Sequence, residues 1–242
     1  MADETPTVVL VHGAFADASS WNGVVELLQA KGVKVTAPPN PLRGIAIDSA
    51  YIAGVLSQIR GPILAVGHSY GGAVLTNAAT NAENVLGLVY VAAFAPDEGE
   101  VLGEVTAGSK DSVLDTALVP LNYPLGDGGS AVEFAIDPAK FHDAFAADLP
   151  AEQSAVLAAT QRPVAEAAFS EPSGPPAWKR LPSWAAVASA DTAAGTDVIH
   201  SMAERAGATI TQLEGSHVIM ISQPQAVTDV ILKALSEIRP QT

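Results

Sequence analysis

Cysteine is absent from the 242 residues, so the chain has no disulfide framework, no thiolate nucleophile and no cysteine-based zinc site. Basic residues are scarce: 12 Lys and Arg stand against 26 Asp and Glu, a formal net charge of -14. That charge repels phosphate backbones and anionic lipid, which argues against nucleic acid and membrane partners and in favour of a neutral or apolar small molecule. No apolar run is long enough to cross a bilayer; the longest, Val85 to Ala95, is about half of what a membrane helix needs. No His and carboxylate cluster has metal-ligand spacing, and no Gly-rich phosphate loop stands out beyond the segment around Gly67 to Gly72. The N-terminal Met1-Ala2-Asp3-Glu4-Thr5-Pro6 lacks the basic start and apolar core of a signal peptide. The expectation is a soluble, cytoplasmic protein, monomeric or homodimeric.

Apolar residues make up 48% of the chain and charged residues only 16%, the balance of a well-packed globular protein. A chain of this length buries roughly three quarters of its unfolded surface and reads as one domain with an insertion. Thr7 to Val11 and Val85 to Phe94 are continuous apolar runs, the mark of strands buried on both faces of a parallel sheet. Further strands are expected at 33–37, 61–66, 184–188 and 209–213, alternating with helices at 17–31, 45–60, 73–79, 194–206 and 224–238. Six strands alternating with helices imply an α/β fold with right-handed crossovers and helices on both faces. The rhythm breaks between 95 and 181, where prolines at 138 and 150 start two short helices; this segment reads as a mostly helical cap inserted between core segments 1–94 and 182–242.

Ligands of parallel sheets bind at the carboxyl ends of the strands, so polar residues that follow strands are the ones to weigh. Gly67-His68-Ser69-Tyr70-Gly71-Gly72 lies between a strand and a helix and has the Gly-x-Ser-x-Gly pattern of a strained turn that lifts a serine hydroxyl above a sheet. Such a hydroxyl needs a base. Of five histidines, His217 ends the loop after the last strand, whereas His68 precedes the serine and is expected to point away from it. The base in turn needs a carboxylate on its far nitrogen, between 69 and 217 in chain order. Asp191, directly after the fifth strand, is the leading candidate, with Asp97 and Asp197 as alternatives. Backbone N–H groups of Ala14 and Tyr70 are the expected donors to a developing oxyanion. Phe15, Phe94 and Trp178 are candidate pocket residues, as are Tyr70 and the cap aromatics Phe134, Phe141, Phe145 and Phe169, although ordinary core packing serves each of them at least as well.

His12-Gly13-Ala14 with Trp21, Gly67 to Gly72, Ala92-Ala93-Phe94-Ala95-Pro96-Asp97 and Gly215-Ser216-His217 resemble, in order and over nearly the whole chain, the α/β-hydrolases grouped with plant methyl esterases and hydroxynitrile lyases. The resemblance implies the α/β-hydrolase fold, a Ser-His-Asp triad of Ser69, His217 and Asp191, no cofactor, and an apolar pocket between core and cap. It also implies hydrolysis of a small-molecule ester through an acyl-enzyme. The similar lyases carry Thr after the oxyanion-loop His and Lys after the catalytic His; here these positions are Gly13 and Val218, which favours the esterase side. After the acid, Thr192-Ala193-Ala194-Gly195-Thr196 lacks the basic residue and proline common in that group. A binding protein with a relic triad, and a cofactor-free lyase or perhydrolase on the same scaffold, are the alternatives.

Overall fold

Residues 5–238 are described by a computed structural model of the chain; the polar lead Met1 to Glu4 lies outside them. Strand β1 (Thr7–Val11) is followed by a 3-10 turn (Ala18–Trp21) and α1 (Asn22–Ala30), with the Asp17 side chain accepting from the Ser19 N–H to cap the turn. β2 (Val35–Thr36), α2 (Ile45–Gln58), β3 (Ile63–His68), α3 (Tyr70–Ala78) and β4 (Val85–Val91) complete the first half of the core. β4 stops three residues earlier than its apolar run, because Ala92 turns to a positive φ of 44°. Such a conformation ends a strand for any residue with a side chain.

The inserted segment contains α4 (Leu102–Ala107), β5 (Leu118–Pro124), β6 (Ser130–Ile136), α5 (Phe141–Phe145), α6 (Ala151–Thr160), β7 (Val164–Ala165) and α7 (Ala167–Ser170). The two expected helices are present as α5 and α6. The three-stranded antiparallel sheet β5-β6-β7 is not what the sequence led one to expect. Pro120 and Pro124 lower the strand propensity of β5, yet β5 is the outer strand of this sheet, where a missing N–H costs no ladder bond. The glycines near 126–129 form the hairpin turn, closed by Leu125 N–H to Gly129 O at 2.8 Å.

The core resumes with β8 (Ser183–Ala188), α8 (Thr196–Arg205), β9 (Thr209–Leu213), α9 (Ile219–Ser222) and α10 (Pro224–Glu237). Its six strands run in the order β2-β1-β3-β4-β8-β9 and every pairing is parallel. Val8, Val9, Leu10 and Val11 are fully buried. Burying each such side chain contributes roughly 1.5–3 kcal/mol relative to leaving it exposed.

Chain order reverses between β1 and β3: β2 lies on one side of β1 and β3 on the other. The crossovers leave these two strand ends in opposite directions and open a crevice there, which is why the segments after Val11 and His68 face each other at one edge. The insertion is tied across that edge by charged side chains. Arg43 donates to Glu133 of β6 at 2.7 Å and lies over the Tyr123 ring at 4.4 Å, and Arg162 donates to the Asn40 carbonyl at 3.2 Å. Arg43 therefore joins the loop before α2 to the inserted hairpin.

Candidate active site

Ser69 sits between β3 and α3 with φ 53° and ψ -125°, a conformation that L residues other than glycine rarely adopt. Holding it costs on the order of 1–3 kcal/mol, which the surroundings must supply. They do so by close packing of backbone on backbone. A Cβ on Gly67 would lie 2.7 Å from Gly71 O, and one on Gly71 would collide with the Val11 carbonyl. The Ser69 carbonyl accepts from Gly72 N at 2.9 Å and Phe94 N at 3.2 Å, which locks the turn. Gly13 faces the serine from the β1 loop: a Cβ there would lie 2.7 Å from Ser69 Cβ and 2.9 Å from His68 O. A threonine at 13 therefore has no room in this backbone.

His217 lies in the loop after β9, where Gly215 takes a φ of 151°. Its Nδ1 is 2.7 Å from Asp191 Oδ2, and both residues are buried. The other Asp191 oxygen accepts from Ala193 N at 3.0 Å and Ala194 N at 2.9 Å. A carboxylate only accepts, so Nδ1 carries the proton and Nε2 is left as an acceptor. The turn 192–195 needs neither a basic residue nor a proline: Thr196 Oγ1 accepts from Asp191 N at 3.0 Å and donates to Ala188 O at 2.8 Å. The two alternative acids are engaged elsewhere. Asp97 pairs with Lys179 at 2.5 Å on the surface, and Asp197 accepts from Ser109 Oγ at 2.6 Å and Lys110 N at 2.9 Å.

The two backbone segments named as oxyanion donors are each fixed from behind. His12 is fully buried, its Nδ1–H donating to Gly13 O at 2.9 Å and its Nε2 accepting from Asn40 N at 2.9 Å. A trans peptide sets its C=O and N–H in opposite directions, so pinning the Gly13 carbonyl to His12 turns the Ala14 N–H away from that ring. Tyr70 opens α3, where first-turn N–H groups have no helical acceptor. Its side-chain hydroxyl donates to the buried Asp48 at 2.8 Å, and Asp48 also accepts from Arg43 N at 3.0 Å. Burial raises the Asp48 carboxyl above its usual range.

Burial also sets the two inner histidines. The His12 imidazole is lowered from 6.5 to about 4 by desolvation, and His68 is pushed well below its ordinary value by burial first and by the neighbouring His217 second. The unfolded chain binds the His12 proton near 6.5 while the folded chain resists it down to about 4, so this contribution to stability is complete above that window and declines as pH falls through it. The loss is on the order of 3 kcal/mol, and His68 adds to it with the same sign. Urea unfolding at about pH 7.5 and about pH 5 is expected to show that decline in the parent chain and a smaller one in His12→Gln. An unchanged difference in the variant would show that His12 is not the group responsible.

Aromatic rings surround the His217 imidazole. Phe145 is 5.0 Å from the His217 ring, 5.1 Å from Phe141 and 6.0 Å from Phe15, and Phe169 is 6.5 Å from both Phe15 and Phe134. Phe94 is buried with its N–H on the Ser69 carbonyl. Trp178 makes its contacts elsewhere: its Nε1–H donates to Pro96 O at 3.1 Å and Lys179 lies over its ring, at the seam between core and insertion. A cavity of about 20 Å³, enough for one water, lies behind Phe15 and Phe145 beside Val218. Larger open concavities of about 620 Å³ near Ser49 and Asn84 and about 760 Å³ near Asp148 and Pro224 are lined by other residues than Ser69.

Asn40, His68 and Asp148 were not expected at this site. Asn40 is fully buried, and besides its bond to the His12 ring its side chain donates to His12 O at 3.0 Å. Asp148 accepts from the hydroxyl of Ser216, next to His217. The sequence signal for Asn40 was its place among three prolines, a rigid loop with one polar side chain; for Asp148 there was none. No group of three or more His, Cys, Asp or Glu that would hold a metal ion occurs among the described residues, and none of their helices is long and apolar enough to cross a membrane.

Comparison with known proteins agrees with this architecture. Polyneuridine aldehyde esterase superposes with a TM-score of 0.78 at 21% identity, covering 96% of this chain and 99% of that one. A pyrethroid hydrolase from Sphingobium faniae JZ-2 gives 0.77 at 20% identity over 96% and 98%. Tomato methylketone synthase I gives 0.78 at 20% identity over 98% and 100%. In sequence, a stretch of 98 residues is 32% identical to the pyrethroid hydrolase of Sphingobium wenxiniae, spanning 36% of this chain and 35% of that protein. The model of the alpha/beta hydrolase family matches residues 8–230, and the chain belongs to that family.

Proposed function

We propose that the protein is a serine hydrolase that cleaves carboxylic esters of small, largely apolar molecules. The observation that carries the reading is the buried His217–Asp191 bond of 2.7 Å, on a loop whose backbone is bonded to the residue preceding the strained Ser69. In this reading the Ser69 hydroxyl attacks the ester carbonyl while its proton passes to His217 Nε2. Asp191 holds the imidazole in the required tautomer and stabilises its cation, and the Ala14 and Tyr70 N–H groups receive the oxyanion. Collapse of the tetrahedral intermediate returns the proton from His217 to the departing alcohol and leaves an acyl-Ser69. Water, deprotonated by His217, then releases the acid and restores Ser69. The Ser69 to His217 hydrogen bond closes as substrate binds, since such bonds are often long in resting enzymes.

The phenylalanine cluster supplies an apolar surround, and the hydrolases and esterases among the structural relatives support the same chemistry. Val218, buried where the similar lyases carry a lysine, offers no cation to a departing cyanide. Fluorophosphonate labelling tests the reading directly. The expected result is one adduct, mapped by mass spectrometry to the peptide containing Ser69, together with hydrolysis of a short-chain nitrophenyl ester. A folded chain that takes no label would sink the proposal and leave the relic-triad binding protein as the better account; peracid formation would point to the perhydrolase.

A further inference from the structure

We infer that His68 is a positioning residue: the hydrogen bond from its Nε2–H to the His217 carbonyl sets the reach between the Ser69 hydroxyl and the His217 imidazole. The inference rests on the serine-hydrolase reading above. His68 is fully buried and its Nε2 lies 3.0 Å from His217 O. A peptide carbonyl can only accept, so the proton is on Nε2 and the ring, neutral, has a bare Nδ1. That Nδ1 lies against Gly13, where an added Cβ would come within 3.0 Å of it, and the Trp21 ring stands perpendicular to the imidazole at 6.4 Å. The His217 ring is 4.8 Å away on another side. One imidazole thus touches the loop after β1 and the loop after β9 from its own place at the end of β3.

The physical consequence follows from chain connectivity. His68 and Ser69 are adjacent, so the donor that holds the base loop and the nucleophile that the base must serve are joined by a single rigid peptide. His217 is gripped at two points: Asp191 holds its ring at Nδ1, and His68 holds its main chain. A ring held only at Nδ1 remains free to swing about that bond, and the loop on its N-terminal side contains Gly215, whose φ of 151° gives it little stiffness of its own. The second grip removes the swing and aims Nε2 toward the residue next to His68. A neutral His68 does this without placing a second positive charge beside the imidazolium that forms during turnover.

The test compares His68→Leu, which removes the donor, with His68→Gln, whose amide restores an N–H at similar reach. Rates are taken per fluorophosphonate-titrated site, alongside melting temperature and the low-field proton resonance of the His217–Asp191 hydrogen bond. In His68→Leu, kcat is expected to fall about 10- to 100-fold with KM within roughly twofold, as for a small misplacement of reacting groups. The low-field proton is expected to shift or broaden, and His68→Gln to recover to within about fivefold of the parent. A purely structural role would lower the melting temperature but leave kcat per site and the resonance unchanged, and that result overturns the inference. So does a folded His68→Gln variant that loses as much as His68→Leu. Should His68→Leu fail to fold, His68→Asn, whose amide is too short to reach, takes its place. Absence of labelling in the parent would instead overturn the hydrolase reading, and the low-field proton, observed without substrate, still decides whether His68 positions His217.

Discussion

Ser69→Ala is expected to lower kcat/KM for a short-chain nitrophenyl ester by roughly a thousandfold to a millionfold, the range seen when the nucleophile of such a site is removed. The substitution takes away one oxygen and leaves the elbow intact. Its carbonyl bonds to Gly72 and Phe94 are made by the backbone, and the methyl group of alanine occupies the space that Ser69 Cβ already fills against Gly13. The fold should therefore be retained, with a melting temperature close to that of the parent. Ser69→Gly separates catalysis from strain. Glycine accepts the φ of 53° without penalty, so this equally inactive variant should be more stable than Ser69→Ala by about 1 kcal/mol. Steady-state rates and thermal melts of the two variants check both statements; parent-like turnover in either would remove Ser69 from the mechanism.

Asp191→Asn should cost about 10,000-fold in kcat while Asp197→Asn stays within roughly twofold of the parent. The reason is directional. Asp191 Oδ1 accepts two backbone N–H groups, from Ala193 and Ala194. An asparagine at 191 keeps its carbonyl oxygen on those donors and is left to offer its NH2 to His217. The imidazole must then accept at Nδ1 and carry its proton on Nε2, where it can no longer take one from Ser69. Asp197 holds Ser109 and Lys110 at a half-buried position away from His217, and its loss should appear as a small change in stability alone. Initial rates together with melting curves for both variants make the comparison. A reversed order would assign the acid to Asp197 and require a different conformation of the loop after β8.

Much of the core was readable because its signals are local. The buried apolar runs of β1, β3 and β4, the glycines that flank Ser69, and the place of His217 and Asp191 after β9 and β8 each depend on a handful of neighbouring residues. The inserted hairpin was not readable. Two prolines weaken β5 as a strand, and only its outer position in β5-β6-β7 makes them harmless. Asn40, Asp148 and His68 were missed for the same reason at greater range: their partners, His12, Ser216 and His217, lie 28, 68 and 149 residues away along the chain.

The amino-acid sequence by itself determined the parallel α/β core, the strained turn at Ser69 and the places of Ser69, Asp191 and His217 after strand ends, since periodicity, turn residues and strand ends are properties of short segments. Tertiary structure decided which carboxylate meets His217, that Trp178 stands apart from the phenylalanines while Phe145 touches the His217 ring, and that the His68 ring, next to Ser69, bonds the His217 carbonyl. Those outcomes depend on distances between strand ends, and only the packed sheet sets them.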